Sequence, residues 1–224
     1  MDVVEAAAAG GHHAGVNSTD LSELIIIQHG EKTPEPGDPR MTARGRAQAE
    51  ATARSLAGER IAHVVSSPLR RARETAAIIA SFLDLPLELD DRLQERMNWA
   101  AAGPYASRQD FFVDWERTTR ERDFVPLGGD SSRAAGERFA AAVGEFGERH
   151  PRERVVVVSH GGVTLDFLRD CFGDVIEERK PGVLAAGLPG CALTRLERRT
   201  DGWVLVALAS IEHLPAELWS GPVA

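Results

Sequence analysis

Two unbroken apolar runs, Leu24-Ile25-Ile26-Ile27 and Val155-Val156-Val157-Val158, constrain this chain more than any other feature. Each has the length of a strand, and all but Leu24 are β-branched. A strand with one wet face alternates apolar and polar residues; one that is apolar throughout needs cover on both faces. That is the condition of a central strand in a parallel sheet with helices above and below. Any fold for this chain must place both runs there.

The segments between them read as the covering layers. Thr42 suits a helix N-cap, with a helix to about residue 58 and Ala47, Ala51 and Leu56 on its inner side. Ile61–Ser66 reads as a strand. Ser67-Pro68 then reads as N-cap and first helical residue of a helix ending near Phe82. Residues 85–89 form a short extended piece, and about 96–128 are irregular and aromatic, with the look of a cap. A helix starts at Ser131 or Ser132 and stops near His150-Pro151; after the valine strand, Gly161-Gly162 opens another, to about Phe172. Strands at about 190–197 and 203–210, around Asp201-Gly202, form a hairpin. The alternation implies a three-layer α/β/α sandwich with a largely parallel central sheet and a small cap insertion. We expect a mobile N-terminal tail over residues 1–20, holding His12 and His13, and one domain over 21–224 with its cap at about 96–128.

Composition narrows the partners. The formal net charge is −8, so nucleic acid and anionic membranes are not expected, and an anion site must be a local positive pocket. No run of about 18 apolar residues suggests a membrane span, and the acidic N-terminus (Asp2, Glu5) with its weakly apolar alanines is not expected to act as a signal peptide. Cys171 and Cys191 lack metal-ligand spacing and read as reduced packing residues, which fits the cytoplasm. A homodimer is left open.

Four short segments follow strands or open helices, where ligand sites gather in α/β sheets. They are Gln28-His29-Gly30-Glu31, Ser66-Ser67-Pro68-Leu69-Arg70-Arg71, Leu93-Gln94-Glu95-Arg96 and Ser159-His160-Gly161-Gly162. Singly, each has an ordinary structural explanation. Together they offer two imidazoles, a guanidinium and a carboxyl group at one sheet edge. That set suits phosphoryl transfer: one imidazole attacks, the cations hold the equatorial oxygens, and the acid protonates the leaving oxygen.

These segments resemble the motifs of the histidine phosphatase superfamily, branch 1, the phosphoglycerate mutase-like proteins. Gln28-His29-Gly30 resembles the family's Arg-His-Gly. Met41 through Ala49 is similar to its Leu-Thr-x-x-Gly-x-x-Gln-Ala helix, and Ser67 through Ala76 to its Ser-x-Leu-x-Arg-Ala-x-x-Thr-Ala element. Leu93-Gln94-Glu95, Gly128-Gly129-Asp130-Ser131 and Ser159-His160-Gly161-Gly162 match the remaining motifs in order, so the likeness covers about residues 24 to 214. The resemblance implies a phosphoglycerate mutase-like fold and a metal-independent phosphatase without cofactor, acting on a small phosphorylated metabolite. It makes His29 the nucleophile, Arg71 a phosphate ligand, Glu95 the general acid and His160 the second histidine. Backbone amides near Gly161 are expected to add donors to the phosphate, and Lys32 and Arg96 are candidate substrate contacts.

One departure matters. Gln28 stands where the family has arginine, removing a positive charge from the site. Three readings follow: a phosphatase in which a cation such as Lys32 or Arg70 compensates or phosphate binds weakly, a phosphomutase, and a catalytically altered relative. The family's mutases carry a longer insertion between acid and second histidine than the stretch from Glu95 to His160, which favours the first. Arg108, Arg117, Arg120 and Arg122 are expected to form surface ion pairs, and His213 to lie late in the chain near the pocket.

Overall fold

The computed structural model describes residues 22–100 and 102–221; the tail expected at 1–20 lies outside them. Six strands form one sheet in the order β3-β2-β4-β1-β5-β6. β1 (Glu23–Gln28) and β4 (Arg154–Ser159) pair in parallel at its centre, with Ile25 opposite Val156 and Ile27 opposite Val158. β2 (Ile61–Ser66) and β3 (Leu87–Leu89) continue the parallel half. β5 (Leu193–Arg199) runs antiparallel to β1 and forms the expected hairpin with β6 (Gly202–Ser210).

The period-2 geometry of a strand divides the two apolar runs between two cores. Leu24, Ile26, Val155 and Val157 face one helical layer, where they meet Phe139, Phe146, Phe167 and Leu168. These come from α4 (Ser132–Arg149) and α5 (Gly161–Phe172). Ile25, Ile27, Val156 and Val158 face the other, against Ala53, Leu56, Ala72, Ala76 and Ile79, from α1 (Ala43–Leu56) and α2 (Arg70–Leu83). Each of the valine, leucine, isoleucine and phenylalanine side chains contributes roughly 1.5–3 kcal/mol by burial, so a charge at any of these positions would be severely destabilising. None of the described helices is long and apolar enough to cross a membrane.

Three boundaries differ from the sequence reading. Thr42 does cap α1, accepting from the Gly45 amide at 3.0 Å. Ser67, however, does not cap α2, which starts at Arg70 with Leu69 at its N-cap and no side-chain cap bond. Its hydroxyl turns inward to His160 Nε2 at 2.8 Å. The cap region is not wholly irregular: α3 (Arg108–Arg120) begins at Ser107, whose hydroxyl accepts from the Asp110 amide. β5 starts at Leu193 rather than near 190, because Pro189-Gly190-Cys191 turns beneath β1 with Cys191 at φ 56°. Two short helices between α5 and β5, α6 (Val175–Arg179) and α7 (Val183–Ala186), were not anticipated.

Candidate active site

His29 leaves the C-terminal end of β1, and three elements fix its backbone. Its amide donates to the Ser159 carbonyl of β4 at 3.0 Å, and the Cys191 amide donates to the Gln28 carbonyl at 3.1 Å. The Gly30 amide donates to Thr75 Oγ1 of α2 at 3.0 Å. The loop then passes so close to α1 that a Cβ on Gly45 would lie 2.2 Å from the Glu31 carbonyl oxygen. Only glycine there lets the helix seat the loop that follows His29.

The imidazole is oriented by groups of fixed polarity. His29 Nδ1 lies 2.8 Å from the Gly30 carbonyl, which can only accept, so Nδ1 carries the proton. Nε2 faces Arg71 Nε at 3.2 Å and the Gln28 amide nitrogen at 3.3 Å, both donors, so Nε2 presents its lone pair. Burial, then the Arg71 charge, then Lys32 hold the His29 pKa well below the usual histidine range, against the opposing pull of the Gly30 carbonyl. The ring is neutral and nucleophilic at Nε2.

Arg71 lies in the first turn of α2 and is buried. Its Nη1 has no hydrogen-bond partner, and Asp38 is 3.9 Å away. A buried guanidinium nitrogen without an acceptor is a ready anion donor. His160, at the N-cap of α5, is buried too; its ring centroid is 5.3 Å from that of His29. Its Nε2 meets Ser67 Oγ, while its Nδ1 is unpartnered. Burial, followed by Arg71 and His29, lowers its pKa well below the usual value as well.

Glu95 faces the same cleft as His29, Lys32 and Arg71. Its Oε1 accepts from the Arg96 and Val163 amides, both at 2.8 Å, and its Oε2 from the Gly162 amide at 3.0 Å. This corrects the sequence reading: the amides at the start of α5, expected to serve phosphate near Gly161, hold the carboxylate of Glu95. Gly162 rather than Gly161 borders the cleft. A Cβ on Gly162 would lie 2.5 Å from Glu95 Oε1 and 2.7 Å from the Trp115 ring, so glycine is required for that close approach.

Arg96 also differs from expectation. It borders the cleft, but its Nη1 is committed to both oxygens of Asp166, at 2.9 and 3.1 Å. Its Nη2 donates to Thr119 Oγ1, and its guanidinium lies 4.1 Å from the Trp115 ring centre. It joins cap to core instead of presenting a free cation. Burial pushes the Asp166 carboxyl up to about 6, with the adjacent Arg96 pulling the other way. Lys32 is brought to the site, half-buried in the cleft wall. Gln28 is buried behind His29, with Oε1 unpartnered.

Other expected residues scatter. Arg117 and Arg122 do form ion pairs, with Glu121 and Asp170, but Arg108 lines the cleft. Arg70 pairs with Glu74 across one helical turn. His213 is 2.9 Å from Thr52 Oγ1 of α1 and does not border the cleft. Sequence reasoning missed Ser67 as the partner of His160, Asp166, Trp115, and the wall from Leu184 to Gly187 at α7.

Fold and site together define a two-histidine α/β protein with an arginine-bearing cleft. Residues 24–211 match the histidine phosphatase superfamily (branch 1), and the chain belongs to that family. It is 35% identical over 158 residues to phosphoglycerate mutase-like protein 4 of Arabidopsis thaliana, covering 64% of this chain and 68% of that protein. It is 27% identical over 210 residues to a metal-independent phosphoserine phosphatase of the same plant, covering 88% and 84%. Mycobacterial glucosyl-3-phosphoglycerate phosphatase in complex with inorganic phosphate shares the fold, with a TM-score of 0.69 at 23% identity over 86% of this chain and 99% of that one. By class the chain is a phosphoric monoester hydrolase.

Proposed function

We propose that the chain hydrolyses a small phosphomonoester in two steps through a phosphohistidine on His29. The observation that carries this reading is the His29 ring: neutral, with Nδ1 tied to a carbonyl and the Nε2 lone pair beside the Arg71 guanidinium in the cleft that also holds Glu95. Nε2 attacks phosphorus in line as the P–O bond to the alcohol breaks. The carboxyl group of Glu95 gives a proton to the leaving oxygen. It then takes a proton from the water that attacks the phosphohistidine, breaking the P–N bond and releasing phosphate. Arg71 Nη1 is assigned to the equatorial oxygens, and His160 Nδ1, which also lacks a hydrogen-bond partner, to the oxygen nearest it. The charge work rests on side chains and needs no metal.

A small phosphorylated metabolite is the substrate class that this cleft and the phosphoserine- and glucosyl-3-phosphoglycerate-acting relatives support. Both cysteines are free thiols, which fits our placement of the protein in the cytoplasm. Phosphomonoesters including phosphoserine, 3-phosphoglycerate and glucosyl-3-phosphoglycerate, assayed for free phosphate and for positional isomers, test the reading. Phosphate release supports hydrolysis. Isomer exchange without release would make the chain a mutase, and neither would make it a catalytically altered relative.

A further inference from the structure

A phosphomonoester brings roughly 1.5 to 2 negative charges at neutral pH. The side chains that contact His29 offer one cation, Arg71, since Gln28 is uncharged. His160 behind them is neutral, held so chiefly by burial. Another positive charge must come from elsewhere in the cleft, which also holds Lys32, Arg96, Arg108 and Arg169.

Three of these are otherwise placed. Arg96 is neutralised by Asp166. Arg169 donates to the Thr119 carbonyl at the far end of α3. Arg108 is exposed, at the first residue of α3, and its guanidinium lies 5.4 Å from the Phe112 ring centre.

Lys32 is different. Its backbone is fixed by an antiparallel bridge to Met41, three residues beyond the nucleophile. Its ammonium has no ion-pair partner among the described residues. Its charge acts on both His29 and His160. Partial burial and the neighbouring charges of Arg71 and Arg108 lower its own pKa, against a weaker opposing pull from Glu95. Cations crowded in one cleft repel each other, an effect that Glu95 and Asp38 offset only in part; an anion seated among them reverses the sign of that interaction.

Resting on the hydrolase reading, we infer that Lys32 binds the transferring phosphoryl group itself. Its ammonium and the Arg71 guanidinium share the charge of the equatorial oxygens, in a site where Gln28 supplies a dipole and no charge. Lys32 is thus the second phosphate-binding cation, not a contact for some remote part of the substrate.

The test compares wild type, Lys32→Met and Lys32→Arg, each confirmed folded by thermal unfolding. The readouts are vanadate and inorganic phosphate affinity by calorimetry, and kcat/KM on nitrophenyl phosphate, which has no second anionic group. Lys32→Met is expected to weaken both anions and lower kcat/KM by roughly 10- to 100-fold, with Lys32→Arg retaining most of each. Unchanged anion affinity and unchanged nitrophenyl phosphate turnover in Lys32→Met would overturn the inference, even if a dianionic metabolite were turned over more slowly. If wild type hydrolyses no ester but Lys32→Met still loses vanadate and phosphate affinity, the hydrolase reading fails and the Lys32 assignment stands.

Discussion

Gly162→Ala is a one-carbon change that isolates the role of Glu95. The added Cβ would sit 2.5 Å from Glu95 Oε1 and 2.7 Å from the Trp115 ring, whereas ordinary contact begins at 3.4 Å. The Glu95 carboxylate must therefore retreat by about 0.9 Å, stretching the bonds it accepts from the Gly162 and Val163 amides. Misplacement of a reacting group by about 1 Å can cost on the order of 100-fold, and loss of general acid catalysis costs about 10²- to 10⁴-fold. The loss must depend on the leaving group. An alkoxide needs the proton of Glu95; nitrophenolate departs without it. We expect kcat/KM on an alkyl phosphate to fall roughly 100-fold or more, and on nitrophenyl phosphate less than about 5-fold. Overpacking should cost about 1–3 kcal/mol of stability, to be checked by urea unfolding so that assays use folded protein. Steady-state kinetics on both esters decides the matter. An equal loss on the two, in a folded variant, would mean that Glu95 is not the acid or that Gly162 acts by another route.

Two further outcomes follow from the buried charges. Asp166→Asn leaves the Arg96 guanidinium buried without its counter-ion, and urea unfolding should show a loss of about 3–5 kcal/mol; less than about 1 kcal/mol would remove the pair from the account of how the cap is held. The fold holds His29, His160 and His213 neutral, the last with its pKa down at about 4, chiefly through burial. Below pH ~6.5 the unfolded chain takes up protons that the native state refuses, so this stability is present above that pH and is lost as the pH falls towards 4. Denaturant midpoints should drop across that window, and His213→Gln should make the drop shallower; an unaltered slope would mean that His213 is not buried as a neutral ring.

What could be read from the sequence, and what could not, divides along a physical line. β1 and β4 were legible because a strand covered on both faces cannot hide its composition, and the motifs at their ends led directly to His29 and His160. Thr42 was legible because an N-cap is a contact three residues long. Ser67 was misread because Ser-Pro satisfies a helix start locally, while its true partner, His160, lies 93 residues away. Arg96 could not be assigned from its neighbours, since Asp166 is 70 residues further on. α3 was missed because charged residues surround Phe111, Phe112 and Trp115; Ser107 followed by Asp110 was the available signal. That the amides of α5 serve Glu95 depends on how closely two segments approach, which no local pattern encodes.

The central claim is that His29 Nε2 takes the phosphoryl group, and trapping the covalent species tests it most directly. Enzyme mixed with a hydrolysed phosphomonoester and quenched in alkali within milliseconds should carry one phosphoryl group, stable to base, labile to acid and mapped to His29. His29→Ala should show neither that species nor turnover. Turnover by a clean His29→Ala preparation, or a phosphoryl group mapped to another residue, would contradict the account.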